Sequence, residues 1–188
     1  MKVHVDAIAA YSPGFADWPS LKSIINGDAE FVTGEDERYQ PEMLPRNERR
    51  RATTSIRLAF RLAEAVRAVS SVDLSHVASV FASSGGDYDV IDAICRALTT
   101  ADKFVSPTLF HNSVHNAAAG YWGIACGSQQ SSTSLSAFDE TFVMGLLEAA
   151  TYCTIEQQPT LLVAYDIVVP QPLRDKRAIA APFGVALL

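Results

Sequence analysis

Residues Gln129 to Ala150 read QQSSTSLSAFDETFVMGLLEAA. The first part, Gln129 to Ser136, predicts a polar strand. It runs almost directly into an apolar helix from about Asp139. From Phe142 to Cys153 that helix is apolar on nearly every side, interrupted mainly by Glu148 and Thr151. A helix apolar all round is expected to be buried. Ser136-Ala137-Phe138 forms the turn between strand and helix. Unpaired backbone N–H groups at such a helix start favour an anion or a reacting oxygen. The arrangement is a nucleophile elbow with no thiol at its tip.

Outward from the elbow, Ser113–Ala125 predicts a helix of small residues, in which Ala117 to Gly120 and Gly123 permit close approach of another backbone. Thr160–Asp166, TLLVAYD, predicts a strand buried on both faces. Ile179–Leu188 predicts a last strand after the Pro-rich loop Val168–Arg177. Towards the N-terminus, Lys2–Ala10 predicts a first strand stopped by Ser12-Pro13-Gly14. A helix Trp18–Asn26 is capped by Asp17 and ended by Gly27. Residues 28–45 have no period and read as a surface loop, with a short strand at Glu30–Thr33. Arg46–Val69 predicts one amphipathic helix whose stripe is Ala52, Ile56, Ala59, Phe60, Ala63 and Val66. Arg50, Arg57, Arg61 and Glu64 lie off that stripe, where a solvated face with an Arg61–Glu64 pair is expected. His76–Ser83 predicts a strand ending in the turn Ser84-Gly85-Gly86-Asp87. Tyr88–Leu98 predicts a helix with Cys95 as a small core residue, and Phe104–Phe110 a loop.

The chain has 188 residues, 48% hydrophobic and 19% charged, enough apolar mass for the core of one globular domain. No run of about 18 apolar residues marks a membrane span. Three scattered cysteines with no CxxC argue against a disulfide framework and fit a reducing compartment. A net charge of −6 disfavours nucleic-acid binding. Seven of the fifteen Lys and Arg residues nevertheless fall between Arg46 and Arg67, so the acidic chain carries one basic segment.

The run HNSVHNAAAGYWGIACGSQQSSTSLSAFDETFVMGLLEAA, His111 to Ala150, resembles the N-terminal half of the β-ketoacyl synthases, which have the thiolase-like fold. In that family an Asn-x-x-(Ala/Gly)-Gly helix precedes a strand ending in a Thr-Ala-Cys-Ala-Ser-type turn, whose cysteine carries the acyl chain. Ser134-Leu135-Ser136-Ala137-Phe138 matches that turn here, and Ser136 is expected in the cysteine's place. The resemblance implies an α/β, thiolase-like fold with a mixed sheet flanked by helices, as one domain over residues 1–188. Only the first half is covered: the two histidines and the Gly-rich loop of the second half are not in this sequence. With no cysteine in the turn, the implied function is that of a non-catalytic, chain-length-factor-type subunit in type II fatty acid or polyketide synthesis, of the aryl polyene kind. Such a subunit is cytoplasmic, needs no cofactor, and pairs with an active β-ketoacyl synthase or with a second copy of itself.

Ser136 has an alternative reading as the nucleophile of a serine-dependent acyltransferase or hydrolase, drawing on His111 or His115 and on Asp139. That reading lacks a Gly-x-Ser-x-Gly context. His111 and His115 have the i, i+4 spacing of paired metal ligands, but no third ligand is near and no metal is expected. By resemblance His111, His115, Asn116, Gln129, Thr133 and Phe138 belong to the pocket or the subunit interface. Arg46, Arg49, Arg50 and Arg51 are the expected docking face for an acidic acyl carrier protein. Asp139 and Glu140 suit the first turn of the helix as dipole-matched carboxylates.

Overall fold

A computed structural model describes residues 2–188. Five strands form one mixed sheet in the order β1-β5-β4-β2-β3. They are β1 (Ile8–Tyr11), β2 (Ala78–Ala82), β3 (Ser132–Leu135), β4 (Thr160–Asp166) and β5 (Phe183–Leu187). β2 runs parallel to β3 and β4, whereas β5 lies antiparallel between β4 and β1. Seven helices surround the sheet: α1 (Trp18–Asn26), α2 (Arg46–Arg51), α3 (Thr54–Val69), α4 (Tyr88–Leu98), α5 (Pro107–Asn112), α6 (Ala117–Cys126) and α7 (Thr141–Thr151).

The central strands sort their side chains by alternation, as a pleated sheet must. Phe81, Leu161, Val163 and Tyr165 join the larger core, built with Ile56, Phe60 and Ala63 of α3 and Trp122 of α6. The rings of Phe60 and Trp122 meet edge to face at 5.5 Å. Val80, Ala82, Leu162 and Ala164 point the other way and meet α7 through Ala149. β4 is therefore buried on both faces, as its continuous apolar run requires.

Three elements have the bounds their sequence signals predict: α1, α4 and β4. In α1, Asp17 accepts from the Ser20 N–H at 2.8 Å, and Gly27 takes the left-handed conformation, φ 78°. The others are trimmed or rearranged. β1 begins at Ile8, opposite Leu187 of β5; before it, Asp6 and Ala7 still hydrogen-bond to Leu188. β3 and β5 shorten to the residues that face a neighbouring strand. Glu30–Thr33 forms no strand; Phe31 and Val32 lie against Gly14 instead. α5 forms inside the expected loop, with Pro107 at its first position, where a missing N–H costs nothing. α6 starts at Ala117, not Ser113.

The basic helix is two helices. Ala52 is extended (ψ 124°) and Thr53 caps α3 by accepting from the Ile56 N–H. The break is held by Arg57. This residue lies on the buried side, only 6% exposed, not on the solvated face expected of it. Its guanidinium donates to the carbonyls of Arg49 and Ala52 at the end of α2 and to Tyr39 O and Gln40 Oε1. The Arg61–Glu64 pair does not form. Arg61 stacks on the Tyr11 ring at 3.4 Å, and Glu64 accepts from the N–H groups of Glu42 and Met43 and from the Tyr39 hydroxyl. Side chains of α3 thus tie down the irregular loop before it.

Two burial expectations are corrected. Cys95 is exposed, because α4 buries only Val90. α7 is not buried all round. Thr141, Gly145, Ala149 and Ala150 face the sheet, while Phe142, Val143, Met144, Leu146 and Leu147 are exposed. Among the described residues the sheet forms one layer against the helix, and its far side is exposed.

Gly145 sets the helix-to-sheet distance. A Cβ there would lie 2.9 Å from Ala82 Cβ and 3.0 Å from Leu162 Cδ1. Gly145→Val should therefore lower stability by about 1–3 kcal/mol, read as an earlier urea midpoint. Gly120→Ala, which faces open space, should raise it by about 0.5–1 kcal/mol. Equal midpoints for the two variants would refute this packing.

Candidate functional site

Three strand ends converge beside the start of α7. β2 ends in Ser83-Ser84-Gly85-Gly86, β4 ends in Asp166, and β3 leads into Ser136. The Asp166 carboxylate accepts from Ser83 Oγ (3.0 Å) and from the Ser84 N–H (2.9 Å). Ser83 Oγ in turn accepts from the Gly86 N–H at 2.9 Å. Gly86 has φ +66°, which favours glycine, and a Cβ on Gly85 would displace the Tyr88 ring. Ser136 Oγ donates to the Ser84 carbonyl at 2.7 Å, joining the third strand to the other two. Ligand sites in open α/β sheets lie at such strand ends.

The elbow is closed by Thr141. Its buried hydroxyl donates to the Phe138 carbonyl (2.7 Å) and accepts from the Ala137 N–H (3.0 Å). The left-handed residue at the strand–helix junction is Phe138, φ 52°. This conformation is uncommon for any residue bearing a Cβ. Phe138 is exposed, and Arg177 lies over its ring at 4.2 Å while pairing with Asp139. That pairing holds the guanidinium above its ordinary pKa, chiefly through the hydrogen bond it donates to Asp139. Between α7 and the strand ends is a cavity of about 280 Å³, lined by Ala82, Phe138, Thr141, Phe142, Tyr165, Asp166 and Arg177 among others.

Ser136 has no base on it. Its hydroxyl proton is directed at a neutral carbonyl, and Asp139 is held by Arg177. His111, near the end of α5, stands edge-on to Tyr121. His115 lies in the turn before α6, beside Gly86, so the two histidines do not share a helix face. Among the described residues no three His, Cys, Asp or Glu side chains gather as a metal site would need. No cysteine enters the elbow, and burial pushes the Cys126 thiol up to about 12.

The remaining predicted residues sit apart. Asn116 is exposed at the start of α6 and makes no side-chain cap. Gln129 is exposed ahead of β3. Thr133 faces α7, with Oγ1 3.4 Å from Glu148 Oε1 and 3.3 Å from the Tyr152 hydroxyl. β3 itself is an edge strand, paired only with β2. The Ser131 and Leu135 carbonyls accept from β2 and the turn after it. By strand alternation the odd-numbered residues of β3 bond to β2, and the backbone groups of Ser132 and Ser134 face outward. The arginines of α2 lie on a separate surface. Arg46 and Arg50 are exposed, Arg51 pairs with Glu48 at 3.8 Å, and Arg49 turns inward to the Glu42 and Leu44 carbonyls. Sequence reasoning singled out neither Asp166 as an anchor nor Arg177. The strand-ending position of Asp166 was a usable signal; Arg177, in a Pro-rich loop, offered none.

Residues 23–188 match the β-ketoacyl synthase N-terminal domain family. No curated protein matches the sequence. Among solved structures, the chain is similar to one from a ketosynthase (ApeO) in complex with its chain length factor (ApeC) from Xenorhabdus doucetiae. The TM-score is 0.76 at 25% identity, over 99% of this chain and 78% of that one. The ishigamide ketosynthase/chain length factor gives a TM-score of 0.71 at 15% identity, over 98% of this chain and 61% of that one. A type II acyl-carrier protein–ketosynthase complex, AntDE:AntF, gives 0.75 at 14% identity, over 97% and 61%. These last two establish the fold, which is thiolase-like.

The hydrogen bonding of Ser136 yields a direct test. Incubated with a long-chain acyl thioester, the purified chain should show no acyl adduct on Ser136 by intact mass and peptide mapping. An adduct at that residue would mean a base is recruited that the present geometry lacks.

Proposed function

The chain belongs to the family of β-ketoacyl synthase N-terminal domains, and we propose that within it this protein is a non-catalytic, chain-length-factor-type subunit. It pairs with an active β-ketoacyl synthase in type II fatty acid or polyketide synthesis of the aryl polyene kind. The observation that carries this reading is the elbow. Its strained tip, the residue that heads the helix, is Phe138, with a positive φ. Read in the register Ser136-Ala137-Phe138, the family's Thr-Ala-Cys turn places the phenyl ring, not the Ser136 hydroxyl, where the acyl-carrying thiol would stand. A phenyl ring offers no nucleophile. It fills the elbow, and Arg177 holds it there.

Pairing is supported by two neighbouring features. The outward backbone groups of β3 have no strand beside them within this chain, and free edges invite strand addition. The apolar residues on the far side of α7 form an exposed surface of the kind that marks an interaction site. We read the second subunit as a ketosynthase that adds its own strand to β3. Ser132→Pro removes an outward donor and should abolish association with an active β-ketoacyl synthase from the same source. The circular dichroism spectrum should stay unchanged. Thr133→Pro should instead unfold the β2–β3 ladder. Sedimentation showing no mass gain for the unmodified chain with that ketosynthase would sink the pairing.

The same reading gives the basic segment a role. Arg46, Arg50 and Arg51 point outward and form a docking face for the acidic carrier protein that delivers the acyl chain, with Arg49 set behind them. Charge reversal at Arg50 and Arg51 should weaken carrier binding by at least about tenfold at low ionic strength, where steering between opposite charges is strongest. Unchanged affinity under those conditions would remove the arginines from the docking face.

A further inference from the structure

Arg57 is a buried cation with no anion. Its guanidinium is satisfied by four acceptors, three carbonyls and the Gln40 side chain, all of them neutral. Among the described residues it makes no salt bridge, and neither do Arg38, Arg46, Arg49 or Arg50. Buried charge is normally paired, because leaving water without a counter-charge is costly. Burial first, and then the neighbouring charges of Arg38 and Arg49, hold the Arg57 pKa below its ordinary value. Around it is a concavity of about 310 Å³ lined by Arg38, Gln40, Arg46, Arg49, Arg50 and Arg57. No carboxylate lines it. Arg49 adds a buried Nε–H with no hydrogen-bond partner.

These observations describe a cavity with too much positive charge and donors to spare. The one acid of α2, Glu48, pairs with Arg51 and does not line the cavity. The planar guanidinium fork suits a tetrahedral oxyanion, and phosphoryl oxygens accept several such donors at once. We propose that this arginine-lined cavity binds the phosphoryl group of a phosphorylated small molecule. Arg57 forms its fixed floor, and Arg38, Arg46, Arg49 and Arg50 form its walls. The phosphoryl group can come from a free metabolite or from a phosphopantetheine arm. The site stands whether or not a carrier protein docks on the outer arginines, since its ligand is the phosphoryl group itself.

The experiment is isothermal titration of the full chain with inorganic pyrophosphate, with phosphopantetheine and with unphosphorylated pantetheine, each at ionic strength matched with chloride. Saturable binding of a phosphorylated probe, with none of pantetheine, is the expected result. Binding of pyrophosphate alone assigns a free phosphorylated metabolite; tighter binding of phosphopantetheine assigns the pantetheine-bearing source. Arg57 organises the loop and α2, so the variant is Arg38→Gln with Arg46→Gln, both exposed. It should keep the native circular dichroism spectrum and weaken binding by at least about tenfold, as loss of charge-assisted hydrogen bonds predicts. Absence of saturable binding by either phosphorylated probe, or undiminished affinity in the double variant, would overturn the site.

Discussion

A helix can lie against β2 and β4 as closely as α7 does only because position 145 carries no side chain. Ala82 and Leu162 occupy the space a Cβ would need. That contact draws the start of α7 down to the ends of the central strands. Because the helix is low, Thr141 reaches both sides of the junction and bridges the Ala137 N–H and the Phe138 carbonyl. The left-handed backbone of Phe138 follows, since the chain must reverse within a few residues of leaving β3. The elbow is a consequence of close packing, independent of what chemistry its tip can perform.

That independence lets the same framework form whatever residue stands at its tip. The Asp166 carboxylate binds β4 to the turn after β2, and Ser136 binds β3 to the same turn. None of these bonds needs a reactive group. The geometry is kept by hydroxyls, a carboxylate and two glycines, and beside it the Phe138 ring lies under Arg177.

The sequence was most legible where local chemistry decides the outcome. Asp17 and Gly27 bound α1, and the run TLLVAYD gives β4 its full length. The stripe Ala52, Ile56, Ala59, Phe60, Ala63, Val66 is buried throughout. It was least legible where the deciding partner is distant in the chain. Arg57 reads as a surface residue until its four acceptors, on the preceding loop and the end of α2, are seen together. The apolar run in α7 speaks for burial, yet periodicity does not say which molecule provides the cover. At the elbow, composition drew attention to the hydroxyl of Ser136, while the positive φ belongs to Phe138. A single sequence carries no direct sign of a positive φ at a phenylalanine.

The exposed far side of α7 has a consequence for how the protein is made. Phe142, Val143, Met144, Leu146 and Leu147 lie on one short helix, beside an edge strand with open hydrogen-bonding groups. On a ribosome-released chain these two surfaces are also the ones through which copies would aggregate, because unpaired edges and contiguous apolar area drive misassembly at rates that rise with concentration. Left uncovered, these surfaces limit how concentrated this chain can become before copies associate non-specifically. Copies in which they stay open are substrates for chaperones and proteases.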